Sequence, residues 1–344
     1  MIEALVVGRV GVDLTPTRAR TSLAAADAFS RAVGGFAGNI GTGIARLGVP
    51  TAVISAVGDD GHGEHVRAAL GAEGIDVAGL RTMPSARTQV AFFEAWPPDR
   101  FPVTFYRLPP APDALLAVAD LAGDAFTTAR LVVVSAALLA VEPSRAALLA
   151  ALQRRAAADD RRADRRTAPA ADDRSAPAAD DATEPKWTVL DLDWRPTLWP
   201  DPAESPELVA RAIAGCDVVI GSDEEFAAAR LRPEAVVDMA SGRSRLVVVK
   251  HGPGGASLIS GAGRHNVAGI AVDVVCGLGA GDALTAAFGA GLLAGLNPSV
   301  ALERGNAAGA IVASRLMCSS AMPVAAEIDA MIDRSATAAR EAHA

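Results

Sequence analysis

Gly279-Ala280-Gly281-Asp282 brings together two chemistries that ordinarily oppose each other. Gly-Ala-Gly can turn tightly and expose backbone N–H groups. The helix predicted from Asp282 to about Leu296, stopped by Asn297-Pro298, adds the free amides of its first turn, so this end attracts anions. A carboxylate there repels a bound phosphate. The conflict resolves if Asp282 faces a hydroxyl and takes its proton as that oxygen attacks a phosphoryl group, while the amides stabilise the transferred charge. The plainer alternative is an aspartate that only caps its helix. The common nucleotide loops fail on residues. The chain has no Gly-Lys pair for G-x-x-x-x-G-K-[ST], its lysines being Lys186 and Lys250. Asp282 occupies the last glycine position of a G-x-G-x-x-G match begun at Gly277.

Elements that could position this loop recur along the chain. The β-branched runs 4–10, 51–57, 130–136, 187–193, 216–222 and 245–252 predict buried strands. A further short strand end is expected at Val272–Val275. Ala/Leu/Arg stretches such as Gly63–Leu70 and Glu142–Arg155 have helical spacing. Apolar strands alternating with helices predict an α/β fold with a mostly parallel sheet covered on both faces. Residues 87–107 read as two strands turned at Pro97-Pro98-Asp99, a small flap at the sheet's edge. Residues 153–186 contain no Val, Ile, Leu, Met or aromatic residue, which predicts a disordered or loosely helical surface insertion.

The 344 residues are 51% hydrophobic with a net charge of -8, which argues against a broad nucleic-acid or anionic-membrane surface. Asp282 interrupts the longest apolar stretch, so no membrane span is expected, and a cytoplasmic protein is. Cys216, Cys276 and Cys318 form no CxxC pair, and His62, Glu64 and His65 lack a further metal ligand nearby.

Several motifs together resemble the ribokinase-like (PfkB) carbohydrate kinases. Gly279–Asp282 is similar to that family's C-terminal signature. Gly34-Gly35-Phe36-Ala37-Gly38-Asn39 followed by Ala45-Arg46-Leu47-Gly48 is similar to its N-terminal one, and Val57-Gly58-Asp59-Asp60 with Gly63 follows in order. The resemblance implies a three-layer α/β/α domain over residues 1–335, with a β lid near 10–40 and 87–110. It also implies ATP-dependent phosphorylation of a primary hydroxyl, with Mg²⁺, a monovalent cation (K⁺), and a homodimer joined through the lid. Finer features are similar to the members acting on keto-deoxy sugar acids: Gly8–Leu14, Phe105-Tyr106-Arg107 with Ala111-Pro112-Asp113, Asp191–Pro196, Val249–Pro253 and Cys318–Pro323. The expected substrate is 5-dehydro-2-deoxygluconate. Alternatives are 2-keto-3-deoxygluconate, another sugar or a nucleoside, or sugar binding without catalysis.

Site residues follow from the same resemblance. Asp282 is the implied base, with Gly279, Ala280 and Gly281 as the anion hole. Asp13 and Asn39 are placed on sugar hydroxyls, and Gly34 and Gly35 let backbone approach the sugar and act as the flap's hinge. Tyr106, Arg107 and Arg195 are placed near the substrate acid, which a guanidinium binds through two hydrogen bonds, with service to the phosphates as the alternative for Arg195. Ser222, Glu225, Lys250, Gly252, Gly255 and Asn306 are placed on the ATP side, Glu225 reaching Mg²⁺ through water. Ser222 stands where the family has Asn. Cys276-Gly277 replaces Asp-Thr or Asn-Val, Phe36 a small residue and Leu284 a Phe.

Overall fold

In the computed structural model, which describes residues 2–107, 110–167, 185–239 and 245–342, the β-branched runs do become strands. The strands are β1 (Ala4–Val7), β2 (Gly11–Pro16), β3 (Phe29–Gly34), β4 (Thr51–Gly58), β5 (Leu80–Met83), β6 (Val90–Phe93), β7 (Val103–Tyr106), β8 (Leu131–Ser135), β9 (Trp187–Asp191), β10 (Val218–Ser222), β11 (Leu246–Lys250), β12 (Gly255–Ser260) and β13 (Gly263–Ala268). The helices are α1 (Phe36–Arg46), α2 (Gly61–Ala72), α3 (Ala125–Thr128), α4 (Ser144–Thr167), α5 (Ser205–Ile213), α6 (Asp223–Ala228), α7 (Pro233–Asp238), α8 (Ala280–Leu293), α9 (Pro298–Ala313) and α10 (Ala325–Ala342).

Nine strands form one sheet in the order β13-β12-β11-β10-β9-β8-β1-β4-β5, parallel from β11 through β5, with β12 and β13 antiparallel at one edge. Side chains alternate across it, as strand periodicity requires. Leu5 and Val7 join a core with Leu148, Leu208, Phe226 and Val236 of α4–α7. Ala4 and Val6 face the opposite way, toward Ile40 and Ile44 of α1 and Leu284 and Phe288 of α8. Both faces are thus covered, which explains continuous apolar strands rather than alternating ones.

A second sheet, β3-β2-β6-β7, is the lid. The antiparallel pair expected over 87–107 is β6 and β7, and it is joined to β2–β3 through a parallel β2–β6 contact. Two expectations need correction. Residues 272–275 form no strand; Val275 and Cys276 instead donate their N–H groups to the Ala313 carbonyl at the end of α9. The segment from residue 153 is not surface insertion at its start, because α4 runs on to Thr167. Arg155 is fully buried there, bonded to Thr188 Oγ1 and to the carbonyls of Phe126, Ala129 and Trp187. An arginine with this many partners can occupy a core although the composition around it looks soluble. Of the rest of the expected insertion, residues 168–184 lie outside the described residues. Among the described residues no helix is long and apolar enough to cross a membrane.

Candidate active site

Five strand ends meet beneath the lid: β1 runs into Gly8-Arg9, β8 ends at Ser135, β9 at Asp191, β10 at Ser222 and β11 at Lys250. Their register aligns Ser135 with Asp191, Ile220 with Asp191, and Ser222 with Lys250. The carboxyl edge of an open parallel sheet is where such folds bind ligands.

Helix α8 brings its N-terminus to this edge. It starts at Gly279, whose φ of 81° lies in the left-handed region that glycine tolerates, and an added Cβ would lie 3.0 Å from Cys318 Cβ. Asp282 is in the first turn, but no side chain caps this helix. Its carboxylate instead accepts a hydrogen bond from Asn39 Nδ2 at 2.7 Å, 243 residues away in sequence. Asn39 Oδ1 is buried without a partner among the described residues. Burial pushes the Asp282 carboxyl up to about 7, with Asp193 and Asp191 adding to the rise and Asn39 and Lys250 opposing it. A group poised there can both hold and release a proton near neutrality.

Asp13 on β2 is buried, and burial lifts it to about 6 against the pull of the Cys318 thiol and Arg9. Its carboxylate lies across Gly34. A Cβ on Gly34 would fall 2.0–2.3 Å from the three carboxylate atoms. Gly34 therefore serves Asp13 by making room for it. Gly34→Ala is expected to displace Asp13 and lower stability by about 1–3 kcal/mol. Thermal unfolding checks this, and an unchanged unfolding temperature would show that Asp13 needs no such space.

The lid register corrects one assignment. Asp13 pairs with Ala91, which pairs with Phe105, so these three share the face toward the site. Tyr106 points the other way, exposed and stacked edge-on against Phe92, which meets Phe29 in the same manner. Phe105 replaces Tyr106 at the site because neighbours on a strand face opposite sides. Arg107 is held by Asp113 at 2.6 and 2.8 Å and by Gln89 Oε1 at 2.6 Å, so it reaches the cavity's border only through Gln89.

On the other flank Lys250 Nζ lies 3.2 Å from each Asp191 oxygen and 3.4 Å from Glu225, and a Cβ on Gly281 would come within 3.4 Å of it. Thr285 donates to Asp191 at 2.8 Å. Asp191 thus ties Lys250 to α8. Ser222 and Glu225 form a reciprocal capping box on α6, and Glu225 also accepts the Trp194 N–H. Gly255 closes the turn into β12, where a Cβ would meet Val267 O at 2.1 Å, while Gly252 has open space around it. Asn306 donates to Ala268 O, fastening α9 to β13. Arg195, 43% exposed, stands 3.4 Å from Asp193 and 3.8 Å from Glu225.

Sequence reasoning assigned no role to Arg9, Gln89, Ser135, Asp193 or Thr285. Arg9 donates twice from Nη2 to Asp193, at 2.9 and 2.7 Å, and Ser135 donates to the same carboxylate at 2.6 Å. The available signal was the charge directly after a buried strand and the Asp-Leu-Asp spacing at the end of another.

An open parallel sheet with a β lid, an amide-lined helix end and a half-buried carboxyl beside a lysine is the layout of a phosphotransferase. The chain belongs to the pfkB family of carbohydrate kinases, whose profile matches residues 1–184 and 167–325. It is 31% identical to the 5-dehydro-2-deoxygluconokinase of Geobacillus kaustophilus, over 99% of this chain and 97% of that protein. Among solved structures it resembles a PfkB protein from Polaromonas sp. JS666, with TM-score 0.76, 26% identity, and 96% and 100% of the two chains covered. The fold is also that of a fructokinase from Vibrio cholerae O395 bound to fructose, ADP and a calcium ion, with TM-score 0.78, 24% identity, and 96% and 99% coverage.

Proposed function

We propose that this kinase transfers the γ-phosphoryl group of ATP to the primary hydroxyl of a keto-deoxy sugar acid, 5-dehydro-2-deoxygluconate. The observation that carries the chemistry is the Asn39–Asp282 pair, a carboxyl near neutrality in the first turn of α8. The full-length relative named for that substrate supports the choice of sugar.

In this reading Asn39 orients the Asp282 carboxylate, and Asp282 takes the hydroxyl proton as the oxygen attacks. Gly279, Ala280 and Gly281 supply amides to the transferred charge, and Lys250 stands beside them. Asp13 and the free Oδ1 of Asn39 accept hydrogen bonds from sugar hydroxyls. Gly35 lines the cavity next to Asp13. Ser222, Glu225, Gly252, Gly255 and Asn306 border the nucleotide side.

Among the described residues no three His, Cys, Asp or Glu side chains gather into a metal cage. The residues fit Mg²⁺ carried on the nucleotide phosphates and met by Glu225 through water, the usual manner for this ion; when bound it neutralises phosphate charge. K⁺ fits less well. Cys276 is a buried thiol pushed up to about 11, chiefly by desolvation, so it stays neutral, and Gly277 has no side chain. These side chains are poor donors for a hard cation. The exposed Phe29 and Tyr106, on the lid face opposite the cavity, give it an apolar surface that a second copy would cover.

ATP consumption measured against 5-dehydro-2-deoxygluconate, 2-keto-3-deoxygluconate, fructose, ribose and adenosine tests the assignment. The expected order puts the 5-dehydro acid first. A preference for any neutral compound overturns it.

A further inference from the structure

A charged side chain without a full set of partners lines the cavity under the lid. The cavity is walled by Arg9, Asp13, Gly35, Gln89, Ala91 and Phe105. Arg9 is only 5% exposed. Both of its hydrogen bonds leave from Nη2, and its Nε is buried with no partner among the described residues. A guanidinium has five N–H donors, and leaving one orphaned in a buried place is unfavourable unless something accepts it.

The ion pair with Asp193 does not use up the donors of Arg9. Asp193 also accepts from Ser135 and lies 3.4 Å from Arg195, so one carboxylate faces two guanidiniums. Asp193 also fixes Arg9 in place, since Ser135 holds its carboxylate and its own N–H donates to Asp191 in the turn after β9. Arg107, one of the two arginines expected near the substrate acid, is occupied by Asp113 and Gln89.

We infer that Arg9 is the specificity-determining residue that reads the carboxylate of the sugar acid, using its uncommitted donors, while Asp193 and Ser135 position it. The inference rests on the acid-sugar reading above and adds the residue that enforces it. It moves this role from the lid arginine to the base of the cavity. The anion end of the substrate would sit on Arg9, away from the hydroxyl facing Asp282.

The test compares kcat/KM for 5-dehydro-2-deoxygluconate with that for its C1 amide, which has the same size and no charge. Removing Arg9 alone would strand Asp193, so the principal variant is Arg9→Met/Asp193→Asn. The acid-to-amide ratio is expected to fall about 100-fold, in line with loss of charge-assisted hydrogen bonds. Arg9→Lys keeps the charge beside Asp193 without the planar fork and should lower the ratio about 10-fold; it carries the test should the double variant not fold. Equal losses for acid and amide would make Arg9 a structural residue and overturn the inference, as would a ratio within about 3-fold of wild type in folded protein. Wild type that prefers the acid while Arg9→Lys keeps the full preference sinks Arg9 alone. Wild type that prefers the amide sinks the acid-sugar reading and the Arg9 assignment with it.

Discussion

Asp282→Asn is expected to lower kcat roughly 100- to 10,000-fold, the range for losing a positioned general base, and at the same time to raise the unfolding temperature at neutral pH. The variant keeps an oxygen for Asn39 Nδ2 but cannot take a proton. The gain in stability follows from the same environment. Burial, then Asp193 and Asp191, hold the carboxyl in its protonated form up to about 7, against an ordinary value of 3.8. Between those values the folded state binds a proton that the unfolded chain has released. Stability contributed by this group is therefore complete below about 4 and is lost as pH rises through about 7. The variant should be more stable than wild type at pH ~8 and converge with it near pH ~4. Wild-type kcat/KM should rise with pH through about 7 as Asp282 ionises, and the residual rate of the variant should lack that rise. Turnover equal to wild type would remove Asp282 from the mechanism. Lost turnover without the stability crossover would mean that water reaches the carboxyl.

Much of this arrangement can be read from residue order because it depends on local pattern. The β-branched runs fold as sheet strands, and the Gly279–Asp282 loop does open a helix, two residues earlier than expected. What local pattern misses depends on pairing partners far away. Tyr106 and Phe105 are adjacent, and only the pairing of β6 with β7 decides which one faces Asp13, since a shift by one residue exchanges the faces. Arg9 looks like a flanking charge until the fold brings Asp193 to it across 184 residues. Gly34 reads as a hinge, and only the pairing of β2 with β3 shows the Asp13 carboxylate lying on it. Asp191 reads as the end of a strand, yet it lies between Lys250 and Thr285. The Gly279–Asp282 loop is thus legible one segment at a time, but the charges around it are not.

Those charges make Lys250→Met the second change with a large expected effect, this time on folding. Lys250 stands between Asp191, Glu225 and the glycine loop, and the neighbouring carboxylates keep its ammonium strongly protonated despite burial. Asp191 is fully buried, and burial pushes its carboxyl up against the opposing pull of Lys250. Methionine fills similar volume but leaves that carboxylate without its counter-charge, which costs about 3–5 kcal/mol for a broken buried pair. Asp191 can respond by keeping a proton, so the loss should be smallest in acid and grow as pH rises. Asp191→Asn/Lys250→Met removes both charges, leaves an amide for Thr285 and should recover most of the stability. It should not recover activity, because the ammonium beside Gly281 is still missing from the charge balance of the transferred phosphoryl group. Denaturant unfolding of the two variants at pH ~5 and ~8 separates these contributions. A single variant as stable as wild type at the higher pH would show that Lys250 does not hold Asp191 ionised. A double variant that regained turnover would take the lysine out of the chemistry and leave it only the task of tying β11 to α8.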